Sequence, residues 1–170
     1  MSLGIPTLLG APYDGSSSFL RGPALAPMRI REALHSSSSN LSTEHGASLD
    51  DTTWWRDAGD LELSTGAVRG EIERGVAAVL EQGGRPLVLG GDHSITYPVV
   101  RAVARSNAPF TILHFDAHAD LYDALDGDRF SHACPFARIM EEGLATRLVQ
   151  VGIRTLNAHQ REQAERFGVE

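Results

Sequence analysis

The 170-residue sequence contains no lysine and a single cysteine, and each scarcity limits what the protein can do. All 15 basic side chains are arginines, and 22 acidic side chains leave a formal net charge of −7. Because a nucleic-acid partner requires a basic face that neutralises phosphates, this charge balance argues against one. The lone cysteine, Cys134, cannot form an internal disulfide, which agrees with a reducing compartment.

Long apolar runs are absent as well. No stretch of about 18 or more apolar residues occurs, so no membrane-spanning helix is predicted. Residues 1–15 have no charged segment before their short apolar stretch, so no secretory signal is predicted either. We therefore expect a cytoplasmic protein without a membrane partner. The length and the 42% hydrophobic content predict one globular domain over residues 1–170.

Strand-length apolar runs alternate with amphipathic segments along the chain. The runs predicted as strands are 7–10, 86–89, 109–113 and 148–151. The segments predicted as helices are 28–34, 68–80, 95–105, 135–143 and 158–167. Residues 40–65 give no clear pattern, although Trp54, Trp55, Leu61 and Leu63 suggest short strands or packed loops. The alternation predicts an α/β fold of three layers, in which a mainly parallel sheet has helices on both faces.

Side chains that bind metals follow two of the predicted strands. In parallel α/β sheets ligands bind beyond the carboxyl ends of the strands. Asp116, His118 and Asp120 come after one strand, and in extended chain their side chains would point the same way. His93 follows another strand. Carboxylate and imidazole donors together suit Mn²⁺ or Fe²⁺ and tolerate Zn²⁺ or Co²⁺, so a metal site is favoured over a merely polar strand end.

Two motifs carry a family resemblance. Gly-Gly-Asp-His-Ser at 90–94 and Asp-Ala-His-Ala-Asp at 116–120 closely resemble those of the ureohydrolases, the arginase and agmatinase family. Looser matches are Gly-Ala-Pro-Tyr-Asp-Gly at 10–15 and Ser-His-Ala-Cys-Pro-Phe at 131–136. The pairing of the two metal motifs discourages the alternative of a deacetylase-like amidohydrolase.

The resemblance implies a hydrolase with two Mn²⁺ ions that splits a guanidino compound into urea and an amine. It assigns His93 and Asp120 to one metal, His118 to the other, and Asp116 to the bridge between them. His132 matches the position that moves protons to and from the reacting groups, so His132 and Asp116 are the predicted catalytic residues. By analogy with the family, a homo-oligomer, either a trimer or a hexamer, is expected.

Several further predictions concern the surroundings of this site. His114 is expected to be a buried residue that hydrogen-bonds or orients a ligand, and Cys134 a small packed residue. The aspartates at 123, 126 and 128 either form a solvated loop or give the pocket mouth a negative field. Such a field would favour agmatine over guanidino acids. Agmatine is therefore the expected substrate, and a guanidinobutyrase, an arginase or a proclavaminate amidinohydrolase-like enzyme is the alternative within the family. No substrate-binding residue is predicted.

The carboxyl-terminal part of the family pattern is not found in these residues. Family members carry their remaining metal ligands in a later Ser-x-Asp-x-x-x-x-Asp-Pro-like segment, and nothing like it occurs here. The four predicted side chains can hold one metal with open positions but would only half-furnish two. The sequence therefore predicts a fold that is incomplete at its carboxyl end. A non-catalytic module that binds metal or a partner is the alternative function.

Overall fold

The three pairs of neighbouring strands in the sheets of this structure all run parallel. The structure is a computed structural model, which describes residues 4–106 and 109–170. Within that part, the strands form one sheet of three strands and one of two. Two compact units are present, the first comprising Met1–Asp14 and Arg21–Gly91 and the second Gly15–Leu20 and Asp92–Glu170.

The first unit holds the three-stranded sheet. Its elements are β1 (Ile5–Ala11), α1 (Ala26–Leu34), β2 (Arg56–Asp60), α2 (Val68–Glu81) and β3 (Gly84–Gly90), with a 3₁₀ turn at Pro23–Leu25 before α1. The strand order is β2-β1-β3. Ile72, Val76 and Val79 on α2 have helical spacing and are buried, so the apolar stripe predicted there is confirmed.

The second unit continues the alternation of helix and strand. Its elements are a 3₁₀ turn (His93–Ile95), α3 (Thr96–Ser106), β4 (Thr111–Phe115), α4 (Pro135–Glu141), β5 (Arg147–Val151) and α5 (Ala158–Phe167). Its core lies on one face of the β4–β5 pair, where Leu148 of β5 packs with Tyr97 of α3 and with Phe136 and Ile139 of α4. Side chains of α5 pack against the same cluster.

The opposite face of β4 and β5 differs from the prediction. The sequence predicts helices on both faces of the sheet, but Leu113 and Phe115 on β4 are 57% and 70% exposed, and Val151 on β5 is 44% exposed. The physical reason is that α3, α4 and α5 all contribute to the core on the other face. In the part of the chain that the structure describes, the burial expected on this second face is therefore not reached for these two strands.

The α/β class and the parallel pairing are confirmed. All predicted helices and strands occur, with ends that differ by a few residues. The strand β2 lies in the stretch without a clear pattern and was not predicted. The single domain over residues 1–170 stays a prediction. None of the helices in the described ranges is both long and apolar enough to cross a membrane.

Candidate metal centre

The segment 116–120 leaves the end of β4 and is held by the last residue of β5 and by residues that follow it. The N–H of Asp116 donates to the Val151 carbonyl at 3.1 Å. One residue further on, the Ala117 carbonyl accepts from the N–H of Arg154 at 2.9 Å. These backbone hydrogen bonds fix the path of the segment and so the position of its side chains.

His93 reaches the same region from the 3₁₀ turn that precedes α3. Asp92 caps this turn, because its carboxylate accepts the N–H of Ser94 at 2.9 Å. The Nδ1 atom of His93 lies 2.5 Å from Oδ2 of Asp120 and 3.9 Å from Oδ2 of Asp116. The structure thus brings together three of the four predicted metal ligands.

A fourth side chain joins this cluster. Ligand atoms of His93, His114, Asp116 and Asp120 all lie within 4.8 Å of one another. The side chains of His93 and Asp116 are 30% and 28% exposed, whereas those of Asp120 and His114 are 9% and 6% exposed. The cluster is therefore accessible from one side, on which a cation and a water molecule could enter.

His118 lies outside that compact group. Its Nδ1 is 3.2 Å from Oδ1 of Asp116, and its side chain is 62% exposed. Asp120 has a φ of 48°, so the regular extended alternation expected over 116–120 is wrong at its last residue. Asp116 has its Oδ2 toward His93 and its Oδ1 toward His118, so its carboxylate could contact two cations at once.

Burial and neighbouring groups shift the pKa values of two members of the cluster. Burial lowers the pKa of His114, and the neighbouring His93 lowers it further. Burial acts to raise the pKa of Asp116, but the N–H of His118 and the adjacent imidazoles outweigh it and hold that pKa below its ordinary value. At neutral pH the site therefore offers an ionised carboxylate beside a neutral buried imidazole.

The donor set fits a hard divalent cation. Asp116 and Asp120 offer carboxylate oxygens and His93 a ring nitrogen, and Mn²⁺ accepts both kinds of donor. A second cation would find His118 and the other oxygen of Asp116, which are two donors and leave most of that position unfilled. The described residues supply most of one metal position and part of another.

His132 is held at the edge of this site by the segment Gly15–Leu20. Its Nδ1 donates to the Ser16 carbonyl at 2.8 Å, and its Nε2 lies 3.4 Å from the Ser18 hydroxyl. Because a carbonyl oxygen only accepts hydrogen bonds, the ring proton of neutral His132 sits on Nδ1. The N–H of Ser16 in turn donates to Asp92 Oδ2 at 2.8 Å, which links the segment to the turn that carries His93.

One cleft of about 430 Å³ brings the predicted site residues to a shared surface. It is lined by the side chains of His93, Asp116, His118, Asp120 and His132, together with Tyr122, Leu125, Ala133, Thr155 and Gln160. The Tyr122 hydroxyl accepts from the Asn157 amide at 2.6 Å, and its ring stacks on His159. The start of α5 therefore positions one wall of the cleft.

The loop between Asp120 and His132 is fixed by a buried cation. Arg138 of α4 donates to the carbonyl and to Oδ1 of Asp123, each at 2.8 Å, and its Nε lies 2.9 Å from Glu141 Oε2. Arg129 reaches the same two carboxylates from the exposed side, at 3.0 and 2.9 Å. The hydrogen bond from Arg138 lowers the pKa of Asp123, so this carboxylate is ionised and paired.

Two predictions about neighbouring residues are confirmed. His114 is buried and hydrogen-bonded, since the Gln150 amide lies 3.0 Å from its Nδ1. Cys134 is fully buried, and burial raises the pKa of its thiol to about 11. At neutral pH that thiol is protonated and packed, as expected for a residue without a chemical role.

Sequence reasoning missed Gln150 and the serines of the Gly15–Leu20 segment. A signal for Gln150 existed, because it is the one polar side chain in the apolar run 148–151. Ser16 carried no such signal, since it lies 116 residues from His132 along the chain and contacts it only in the folded state.

Fold and cluster together define a class: an α/β protein with a His/Asp metal centre at the carboxyl end of a parallel strand. Comparison with known families gives the membership. The arginase family matches residues 6–170, and the chain therefore belongs to the arginase family.

Individual relatives agree with this assignment. The chain is 51% identical over 174 residues to "Arginase 1, mitochondrial" of Arabidopsis thaliana, covering 96% of this chain and 51% of that protein. It is 34% identical to "Guanidino acid hydrolase, mitochondrial" of Homo sapiens, covering 95% of this chain and 48% of that protein. The chain spans about half the length of the curated relatives it matches.

A solved structure supports the fold. Arginase from Medicago truncatula superposes with a TM-score of 0.91 at 45% identity, covering 99% of this chain and 56% of that one. Formimidoylglutamase from Bacillus subtilis superposes with a TM-score of 0.84 at 30% identity, covering 100% of this chain and 55% of that one. The predicted ureohydrolase-like fold is confirmed.

Proposed function

We propose that the protein is a manganese-dependent hydrolase that cleaves a guanidino compound and releases urea. The observation that carries this proposal is the cluster of His93, Asp116 and Asp120, which opens onto the cleft shared with His118 and His132. Membership of the arginase family supports it, because the resemblance implies a pair of Mn²⁺ ions held by these ligands.

The chemistry needs a strong nucleophile and a proton donor. A guanidinium carbon is deactivated by resonance, and bound Mn²⁺ supplies a water activated for attack near neutral pH. Water adds to that carbon, the bond to the amine breaks, and the amine takes up a proton. We assign this proton transfer to His132, because its Nδ1–H is committed to Ser16 and Nε2 is left to carry the proton.

The substrate within the guanidino class has two candidates. Agmatine is the prediction from the acidic loop, and Asp126 and Asp128 are exposed there. L-Arginine is favoured by the names of several plant relatives, which are arginases at 47–52% identity. The pairing of Asp123 with arginines weakens the argument from the negative field, so we propose that both compounds be tested side by side.

The decisive experiment measures bound metal and released urea after incubation with Mn²⁺ and each substrate. It uses the 170-residue chain and, in parallel, any longer form that the gene encodes. Urea release that depends on Mn²⁺ supports the proposal. Metal binding without urea in both forms would refute it and favour the non-catalytic metal-binding module.

Two histidine substitutions separate metal binding from proton transfer. His118→Ala should lower the amount of bound metal and abolish activity. His132→Asn keeps a donor to the Ser16 carbonyl but cannot carry a proton, so it should slow turnover by roughly 10²-fold or more while metal stays bound. Loss of metal from both variants, or from neither, contradicts the assigned roles.

Three further expectations belong to the proposal. The protein is expected to act on a small guanidino compound without a nucleic-acid or membrane partner. A trimer or hexamer is expected by family analogy, which light scattering would test. The cytoplasm is the location predicted from composition, and mitochondria are the alternative because several relatives carry "mitochondrial" in their names.

A further inference from the structure

Gln150, His114 and Asp116 form a chain of polar contacts, which we call the relay. The carbonyl group of Ala119 decides which atoms donate and which accept along it. The Gln150 amide nitrogen lies 2.7 Å from the Ala119 carbonyl oxygen and 3.0 Å from His114 Nδ1. Turning the amide over would place two oxygens 2.7 Å apart, with no proton between them. The amide nitrogen must therefore face the Ala119 carbonyl, and its second proton is available to His114.

This orientation sets the position of the proton on the neutral His114 ring. Nδ1 accepts from Gln150, so it presents a lone pair, and the single ring proton is on Nε2. Nε2 is buried, lies 3.4 Å from Asp116 Oδ2, and meets no acceptor at full hydrogen-bond geometry among the residues the structure describes. Its proton is thus available to Asp116, and Nε2 has no free lone pair for a cation.

Packing holds the ring in this place. His114 is only 6% exposed, and its ring centroid lies 4.2 Å from that of Phe136 at an angle of 41°. A rotated ring would lose the Gln150 contact and leave a buried polar nitrogen without a partner, which is costly.

We infer that Gln150 and His114 are positioning residues that orient Asp116 for cation binding, and that His114 is not itself a ligand although it lies inside the cluster. The inference rests on the proposed function only in that Asp116 binds the cation. Residues of this kind behind a metal ligand typically change metal affinity by about 10- to 100-fold when they are replaced.

The relay is tested first by the proton positions. The neutral rings of the metal-free, ¹⁵N-labelled chain should give a protonated Nε2 and an unprotonated Nδ1 for His114, and the opposite pattern for His132. The His114 signals are assigned by their absence in His114→Gln. An unprotonated Nε2 in wild-type His114 would overturn the relay, whatever the metal does.

Mn²⁺ affinity is the second readout, measured by electron paramagnetic resonance of the free ion. His114→Phe keeps a buried ring without a donor and should weaken binding about tenfold or more, as should Gln150→Leu. His114→Gln, whose amide can replace the Nε2–H, should stay closer to wild type. The matched control is Gln163→Leu, which removes another buried glutamine, on α5, and should leave the affinity unchanged.

The outcomes separate this inference from the proposed function. Undiminished affinity in Gln150→Leu would refute the relay, even if His114→Phe fails to fold. A wild-type chain with no Mn²⁺ affinity would count against the proposed function, while the proton positions still decide whether the relay exists.

Discussion

Arg138 offers the sharpest test of how the loop beside the site is held. Its side chain is 4% exposed and makes three close contacts with Asp123 and Glu141. Arg138→Met keeps the apolar stem and removes the charge. The carboxylate of Asp123 keeps its contact with Arg129, so the substitution does not strand a buried anion.

The size of the effect follows from the contacts that are lost. Hydrogen bonds to charged groups contribute about 1.5–3 kcal/mol each, and removal of the buried cation recovers part of its desolvation cost. We expect the free energy of unfolding to fall by about 3 kcal/mol. For a chain of this size that corresponds to a decrease in Tm of roughly 6–12 °C.

Urea denaturation followed by circular dichroism measures this loss, and hydrogen exchange of residues 121–133 measures the loosening of the loop. The matched control is Arg129→Met, because Arg129 reaches the same two carboxylates but is 50% exposed. That change should cost under about 1 kcal/mol. Equal losses in the two variants would refute the argument that burial makes Arg138 the stronger contact.

Two further predictions concern the first unit. Arg31 lies 2.8 and 2.9 Å from the two oxygens of Asp57, and this hydrogen bonding lowers the pKa of the Asp57 carboxyl. The contribution of the ionised Asp57 to stability is therefore complete above about pH 5 and is lost as pH falls through the folded-state pKa. The stability difference between wild type and Asp57→Asn, measured by urea denaturation, should therefore shrink on acidification, and a constant difference would contradict this sign. Alanine should have opposite effects on stability at two glycines. Gly91→Ala places a Cβ 1.7 Å from the Tyr13 carbonyl oxygen and should destabilise the fold by about 1–3 kcal/mol. Gly70→Ala in α2 meets only the flexible tip of an arginine and should stabilise the fold by up to about 1 kcal/mol. Thermal unfolding of both variants checks the two signs.

Local patterns account for most of what could be predicted about the fold. The apolar stripe of α2 and the apolar runs of β3, β4 and β5 lie within single elements, so their periodicity is visible without tertiary information. The strand β2 escaped prediction because its sequence, Arg-Asp-Ala-Gly-Asp, is polar and largely exposed at the edge of its sheet. Pairing with β1, rather than its own composition, makes it a strand.

The candidate site, like the fold, could be predicted from the sequence only in part. Asp116, Asp120 and His93 could be singled out from the sequence because each follows an apolar run whose strand end predicts where it lies. The burial of His114 could be predicted as well, but its place inside the cluster, and that of His118 outside it, could not. Both are histidines two residues from Asp116, and only the folded surroundings decide which of them joins the cluster.

The sequence by itself determined the class of fold and the ligand types available to a metal, since both depend on the order of apolar and metal-binding residues along the chain. Only the tertiary structure decided which nitrogen of His114 and of His132 carries the proton. Those choices depend on Gln150 and Ser16, which are 36 and 116 residues away in sequence and reach hydrogen-bond distance only when the chain is folded.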